Sequence, residues 1–184
     1  MQEFLTTGLI ASPPVPADLD ELYEICSDAR VWEHRPSSRH RSPAQTRAMI
    51  DAWSAGWKKH GLGTWVVREA GDQAVIGYGG CTQVGDAYWN LGYRFTVAAQ
   101  GRGFATEIAR AAVHAAREAA GELPIIASIL EHNGASEAVA LKLGMKLAYR
   151  GLDRGNPDPS AIRLIYADRP LSFEQLSCIV NPGQ

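Results

Sequence analysis

The run Gln100-Gly101-Arg102-Gly103-Phe104-Ala105, with Thr106 behind it, constrains this chain more than any other stretch. It lies between a strand-like run at residues 88–97 and an alanine-rich helical run at residues 106–120. A strand that turns through glycines into a helix makes a cradle for a diphosphate. Glycine lets the backbone turn tightly enough for several N–H groups to converge on one anion. The helix start behind them adds unpaired donors and the positive end of its dipole. A ligand with a nucleotide tail is the first expectation. A nucleoside triphosphate is not, because no Gly-Lys-Ser/Thr follows the turn.

The elements around the turn follow from periodicity. Residues 3–11 read as a strand, ended by Ser12-Pro13-Pro14-Val15-Pro16 because proline cannot donate to a ladder. Residues 18–29 read as a helix with Leu19, Leu22, Ile25 and Cys26 on one stripe. A polar, basic loop covers residues 33–41. Ser42-Pro43 then opens a second helix, which stops at His60-Gly61. Strands follow at residues 63–69, 73–84 and 88–97, joined by Gly71-Asp72 and Gly85-Asp86 turns, the mark of an antiparallel meander. Beyond the glycine turn and its helix come a fully apolar strand at 124–130, a short helix at 133–143, and strands at 145–151 and 161–167. This order predicts an α/β (α+β) fold. Its sheet is mixed, mostly antiparallel and twisted, with about seven strands and helices on both faces.

Composition removes whole classes of function. A chain of 184 residues is expected to form one domain over residues 1–184 with a real core. A net charge of −2 gives no support for nucleic-acid or membrane-surface binding. Cys26, Cys81 and Cys178 are far apart and odd in number, with no metal or redox spacing, so a reducing cytoplasm is the simplest setting. No apolar run nears the ~20 residues of a membrane span. Residues 1–7 lack the basic-then-apolar pattern of a signal peptide.

Five blocks in order resemble one family, the GNAT acyl-CoA-dependent N-acyltransferases. The turn at Gln100 to Ala105 fits that family's Gln/Arg-x-x-Gly-x-Gly/Ala pattern. The blocks in order are Ala74-Val75-Ile76-Gly77 with Gly79-Gly80, Leu91-Gly92-Tyr93-Arg94, Gly103-Phe104-Ala105-Thr106-Glu107 continuing from that turn, Asn133-Gly134-Ala135-Ser136 and Lys142-Leu143-Gly144-Met145. Together they are similar to the branch of ribosomal-protein N-terminal acetyltransferases, across roughly residues 6–166. The chain departs from that branch in three places. Thr6-Thr7-Gly8-Leu9 stands for Thr-x-Arg-Leu, Asn90 holds a position that is often acidic, and Met145 replaces a phenylalanine.

The resemblance implies an acetyl-CoA-dependent N-acetyltransferase with no metal, acting by direct attack of a primary amine in a ternary complex. Gln100, Gly101, Arg102, Gly103, Phe104, Ala105 and Thr106 are then the pyrophosphate cradle. Phe95, Thr96 and Val97 lie on a strand that pairs with the pantetheine arm, and one N–H there meets the oxyanion. Asn133 caps its helix and also touches the pantetheine amides. Ser136 stands near the sulfur, as hydrogen-bond or proton donor to the thiolate, with Tyr149 a second candidate. With Asn90 at the often-acidic position, Glu33, His34, Asp86 and Glu131 are the candidate bases, and a water relay is the alternative.

Trp32, Tyr78, Trp89 and Tyr93 are candidates to line the acceptor pocket. Trp53 and Trp57 fit the buried face of the second helix, and His114 and His132 read as surface residues. The run Arg35, Arg39, His40 and Arg41 reads as a solvated loop, or as an attractor for an acidic substrate or the adenosine phosphate of CoA. The acceptor stays open between a protein N-terminus and a small-molecule amine, as does a homodimer. A non-catalytic acyl-CoA-binding sensor is the reading from a different class.

Overall fold

Local signals place the elements, which the computed structural model describes for residues 4–180. Helix α1 spans Leu19–Ser27 and α2 spans Pro43–His60. Helix α2 starts where the Gln45 side chain accepts the Ser42 N–H at 3.2 Å, and it stops at Gly61, whose φ of 70° only glycine adopts easily. Strands β1 (Phe4–Leu5), β2 (Leu9–Ser12), β3 (Thr64–Glu69), β4 (Val75–Val84) and β5 (Tyr88–Phe95) form a continuous antiparallel run. Helix α3 (Phe104–Ala120), β6 (Ile125–Leu130), α4 (Gly134–Lys142), β7 (Lys146–Leu152), β8 (Ile162–Ala167) and α5 (Phe173–Val180) complete the chain.

The strand order is β1-β2-β3-β4-β5-β6-β8-β7, and β5–β6 is the one parallel pair among the described residues. The expected mixed, mostly antiparallel sheet is therefore present, with seven strands and the two-residue β1 added at its edge. Residues 3–11 do not make one strand. Leu9 N–H donates to Thr6 Oγ1 at 2.9 Å and Thr6 N–H donates back to the Leu9 carbonyl at 3.0 Å, which closes a hairpin between β1 and β2. Glu3, at the start of that expected strand, lies outside the described residues.

Helices cover both faces. Ile108, Ala109, Ala112 and Ala116 of α3, with Val139 and Ala140 of α4, pack on Val67, Leu91, Ile125 and Ala127. Leu22, Ile25 and Cys26 of α1, with Ile50 of α2, pack on Val66 and Tyr78 on the opposite face. Ile179 of α5 covers Tyr88, Ile126 and Ile165 on that second face. Burying one such aliphatic side chain stabilises the fold by roughly 1.5–3 kcal/mol. An ion pair at 2.6 Å between Arg68 and the buried Asp18 anchors the entry to α1.

One feature of the sheet prepares the site. The β5–β6 ladder pairs Trp89 with Ile125 and Asn90 with Ile126, then stops. Trp89 N–H donates to the Pro124 carbonyl at 2.9 Å, so its backbone faces β6. Strand alternation turns the N–H and C=O of Tyr93 and Phe95 the same way, into the gap left by the departing strand. The gap lies between the face carrying α3 and α4 and the face carrying α1, α2 and α5.

Candidate active site

The glycine turn builds the first half of the site. Gly101 and Gly103 hold φ of 75° and 88°, in the left-handed region. A Cβ at either would meet no atom within 4 Å, so the concave side of the turn is open. The amides of Gly101, Arg102, Gly103, Phe104 and Ala105 have no hydrogen-bond partner among the described residues, whereas Thr106 N–H donates to the Gly103 carbonyl at 3.0 Å. Unpaired donors around a concave backbone at a helix start fit a diphosphate.

The Arg102 side chain takes another course. Its guanidinium bonds Glu69 at 2.9 and 2.5 Å and lies 4.5 Å over the Phe104 ring. Arg102 thus contributes its amide to the turn while its charge is spent on β3. Glu107, in the same block, accepts the Gly8 N–H at 2.8 Å and ties the β1–β2 hairpin to α3. The departure at Gly8 therefore sits at the edge of the sheet rather than beside either cavity.

A cavity of about 690 Å³ runs from this turn to the β5–β6 gap. Phe95, Gln100, Gly101, Gly103, Phe104, Ala105, Thr106, Asn133 and Ser136 of the expected residues line it. Thr96 and Val97 do not: Thr96 N–H is spent on the Ile76 carbonyl at 2.9 Å, and Val97 is exposed on the turn beyond. Gln100 Nε2 donates to the Phe95 carbonyl at 3.2 Å, bracing the end of β5. Arg30, which no sequence pattern singled out, and Lys142, the first residue of the Lys142 to Met145 block, also line this cavity.

A second cavity of about 490 Å³ opens on the other face of the sheet, against α2 and α5. Gly80, Thr82, Asn90, Gly92 and Ser128 form its floor, and Trp53, Tyr78 and Tyr88 its aromatic wall. Gly92 matters here, because a Cβ on it would project into open space. Trp89 points the other way, fully buried in the α3 core, and Trp32 is buried beneath Arg94. Trp53 packs on Tyr78 with ring centroids 4.9 Å apart while still facing the cavity; Trp57 packs on Trp65.

The two cavities share five residues of the gap: His34, Tyr93, Arg94, Asn133 and Ser136. Asn133 caps α4, with its side-chain oxygen accepting Ser136 N–H at 3.2 Å. Tyr93 hydroxyl donates to the Ser136 carbonyl at 3.3 Å, fixing the first turn of α4 across the gap from β5. The Ser136 hydroxyl itself has no hydrogen-bond partner among the described residues. Burial pushes the Tyr93 phenol above its ordinary pKa, so it stays a neutral donor.

The candidate bases are scattered. Glu33 is exposed and lines only the cavity that leads to the glycine turn. Asp86 is exposed in the β4–β5 turn and lines neither cavity, and Glu131 is paired with Arg150 at 2.6 Å. His34 faces both cavities, but burial first and the neighbouring Arg94 next push its pKa down to about 4. Tyr149 packs against the cluster of Tyr88, Ile165 and Ile179 and lines neither cavity. Asn90 lies on the floor of the second cavity, with its carbonyl accepting from Thr82 Oγ1 at 3.5 Å. Cys81 is buried with its thiol pKa raised, and burial pushes the Cys26 thiol up to about 11. A thiol so raised is a poor acyl carrier at neutral pH.

Sequence reasoning passed over Arg94 as a site residue. Its guanidinium lies 3.8 Å from the Trp32 ring centroid and donates to the Val31 carbonyl at 3.2 Å. A signal was present: Arg94 interrupts an aromatic strand at a position that shares a face with Gly92, and alternation aims both at one side of the sheet.

Comparison with known proteins accords with this geometry. The acetyltransferase (GNAT) domain family matches residues 9–146. An acetyltransferase from Agrobacterium tumefaciens superposes with a TM-score of 0.74 at 22% identity, over 92% of this chain and 95% of that one. A GNAT-family acetyltransferase from Bacillus anthracis gives 0.73 at 20% identity, over 90% and 97%. RimL, a ribosomal L7/L12 alpha-N-protein acetyltransferase solved with coenzyme A, gives 0.73 at 17% identity, over 92% and 98%. Fold, glycine turn, open strand gap and family match agree, and the chain belongs to the GNAT acetyltransferases, enzymes that use acetyl-CoA as acyl donor.

Proposed function

We propose that this enzyme moves an acetyl group from acetyl-CoA to a primary amine by direct attack, with both substrates bound together. One observation carries the reading. The cavity from the glycine turn and the cavity on the opposite face of the sheet meet in the β5–β6 gap, at Tyr93, Asn133 and Ser136. Two ligands entering from opposite faces come within reach there, which is the proximity that a direct transfer needs.

The free amides from Gly101 to Ala105 hold the diphosphate, and the β5 edge at Tyr93 and Phe95 pairs with the amide-bearing arm behind it. When bound, acetyl-CoA supplies an activated thioester carbonyl. An N–H on that edge receives the negative charge that grows on the carbonyl oxygen. The Ser136 hydroxyl donates to the departing thiolate. A thiol pKa near ~8.5 makes that help useful but modest. The acceptor amine, with a pKa near ~10, must first lose a proton. Among the described residues no Asp or Glu lines the second cavity, the acceptor cavity in this reading, so water in that cavity is the proton acceptor.

The finer choice of acceptor lies between a protein N-terminus, as the name of RimL describes for that protein, and a small-molecule amine. The lack of any carboxylate in the acceptor cavity also favours keeping a second reading, a sensor that binds acetyl-CoA without turnover. The test is CoA release from acetyl-CoA with a panel of amines, alongside acetyl-CoA binding by calorimetry. Release with at least one amine supports transfer. Tight binding with no release on any amine overturns it in favour of the sensor.

A further inference from the structure

The charged side chains that line the acceptor cavity are Arg35, Arg94 and Arg163, with His34 beside them. Arg163 is neutralised by the buried Asp153. Arg35 and Arg94 have no carboxylate partner among the described residues. The Arg94 Nε is buried with no hydrogen-bond partner, so this guanidinium is under-satisfied. Of the basic run Arg35, Arg39, His40 and Arg41, Arg35 alone reaches the cavity.

Such a lining repels a simple cationic amine. It suits an amine that brings its own negative charge. We propose that the acceptor is an anionic amine, a primary amine with a carboxylate a few bonds away, held by Arg94 and Arg35. This rests on the acetyltransferase reading and names the substrate class for its acceptor side. The same charges explain how the reaction runs without a carboxylate base. A positive field beside an ammonium group lowers its pKa and favours the neutral nucleophile. The carboxylate then supplies the binding that the ammonium has lost. A carboxylate on a small metabolite and one on an acidic side chain at a peptide N-terminus share this chemistry.

The experiment uses two matched pairs, β-alanine against β-alaninamide and glycyl-glutamate amide against glycyl-glutamine amide. CoA release gives kcat/KM for each, and calorimetry on the CoA-loaded protein gives affinity independently of turnover. The acidic member of at least one pair is expected to win by about 10- to 100-fold, the scale of one hydrogen bond to a charged group. A response in the β-alanine pair alone marks a small metabolite, and one in the peptide pair alone marks a polypeptide N-terminus. Arg35→Glu, an exposed substitution, is expected to shrink that preference about tenfold with the fold intact. Turnover with no acid preference in either pair, or an unchanged preference in Arg35→Glu, overturns the inference and leaves the transferase standing. Acid-selective binding with no turnover supports the inference and overturns the transferase. Neither binding nor turnover of any acidic probe overturns the inference.

Discussion

Nη1 of Arg94 stands 2.7 Å from Nε2 of His34. A guanidinium can only donate, so Nε2 is the unprotonated nitrogen of that ring and its lone pair is engaged. This ring, one of the four candidate bases from the sequence, is thus a positioning group for the arginine. It also carries a specific acid sensitivity. The folded pKa of about 4 lies below the ordinary 6.5, chiefly through burial. Between those values the unfolded chain binds more protons than the folded one, so this contribution to stability is complete above pH 6.5 and fades toward pH 4. Chemical denaturation at a series of pH values should show a loss in that window that is smaller in His34→Gln. Equal pH dependence in the two proteins would count against the ring's assigned state.

Gly103→Glu should abolish acetyl-CoA binding, because a carboxylate would project into the open side of the turn where the free amides converge. The left-handed φ of 88° adds strain of about 1–2 kcal/mol for any side chain. Gly103→Ala carries the strain without the charge and should keep measurable binding. Calorimetry with circular dichroism separates the two, and equal affinities in both variants would remove the anion site from this turn.

Ser136→Ala should lower kcat by about 10-fold, the size of one hydrogen bond to a charged group, while the acetyl-CoA Kd changes little. The N–H of residue 136 still bonds Asn133 in that variant, so the cap survives. Parallel losses in kcat and Kd would make Ser136 a binding residue only. Tyr93→Phe tests the brace between β5 and α4. Losing a hydrogen bond of 3.3 Å should cost about 1 kcal/mol and misplace the serine, so kcat falls with Ser136 still present.

Asn90→Asp would put a carboxylate on the floor of a cavity that has none. The expected result is a shift of kcat/KM away from acidic amines and toward neutral or cationic ones, read with the same matched pairs. A shift in the opposite direction would mean that the field of Arg94 and Arg35 does not govern acceptor choice.

The glycine turn, the succession of elements from α1 to β8 and the capping role of Asn133 could be read from the sequence, because each rests on local chemistry: φ at Gly101 and Gly103, periodicity, and a side-chain oxygen near a helix start. The hairpin at the N-terminus was not read, because Gly8 is a single glycine in an apolar run and the turn is closed by one Thr6 hydroxyl that no spacing announces. Helix α5 was missed although Ser172 and Gln175 form a reciprocal cap, with Gln175 Oε1 accepting Ser172 N–H at 2.9 Å and Ser172 Oγ accepting Gln175 N–H at 3.1 Å. That cap is a sequence signature that could have found it. The fates of Arg102 and Arg94 were out of reach. Glu69 lies 33 residues from Arg102, and His34 lies 60 from Arg94, so only the folded sheet brings each pair together.

The β5–β6 ladder ends after two residue pairs, and this ties the enzyme's durability to its metabolic surroundings. The Tyr93 backbone groups and the Phe95 N–H face that gap without a strand partner, while the Phe95 carbonyl is held by Gln100 Nε2, so an amide-bearing arm in the gap would add bonds to the fold. A ligand that binds the native state alone raises its stability with concentration, by about 2.7 kcal/mol at a hundredfold excess over Kd. Thermal melting should therefore track the acyl-CoA supply, and a cell short of that donor would hold this protein in a softer, more readily degraded form.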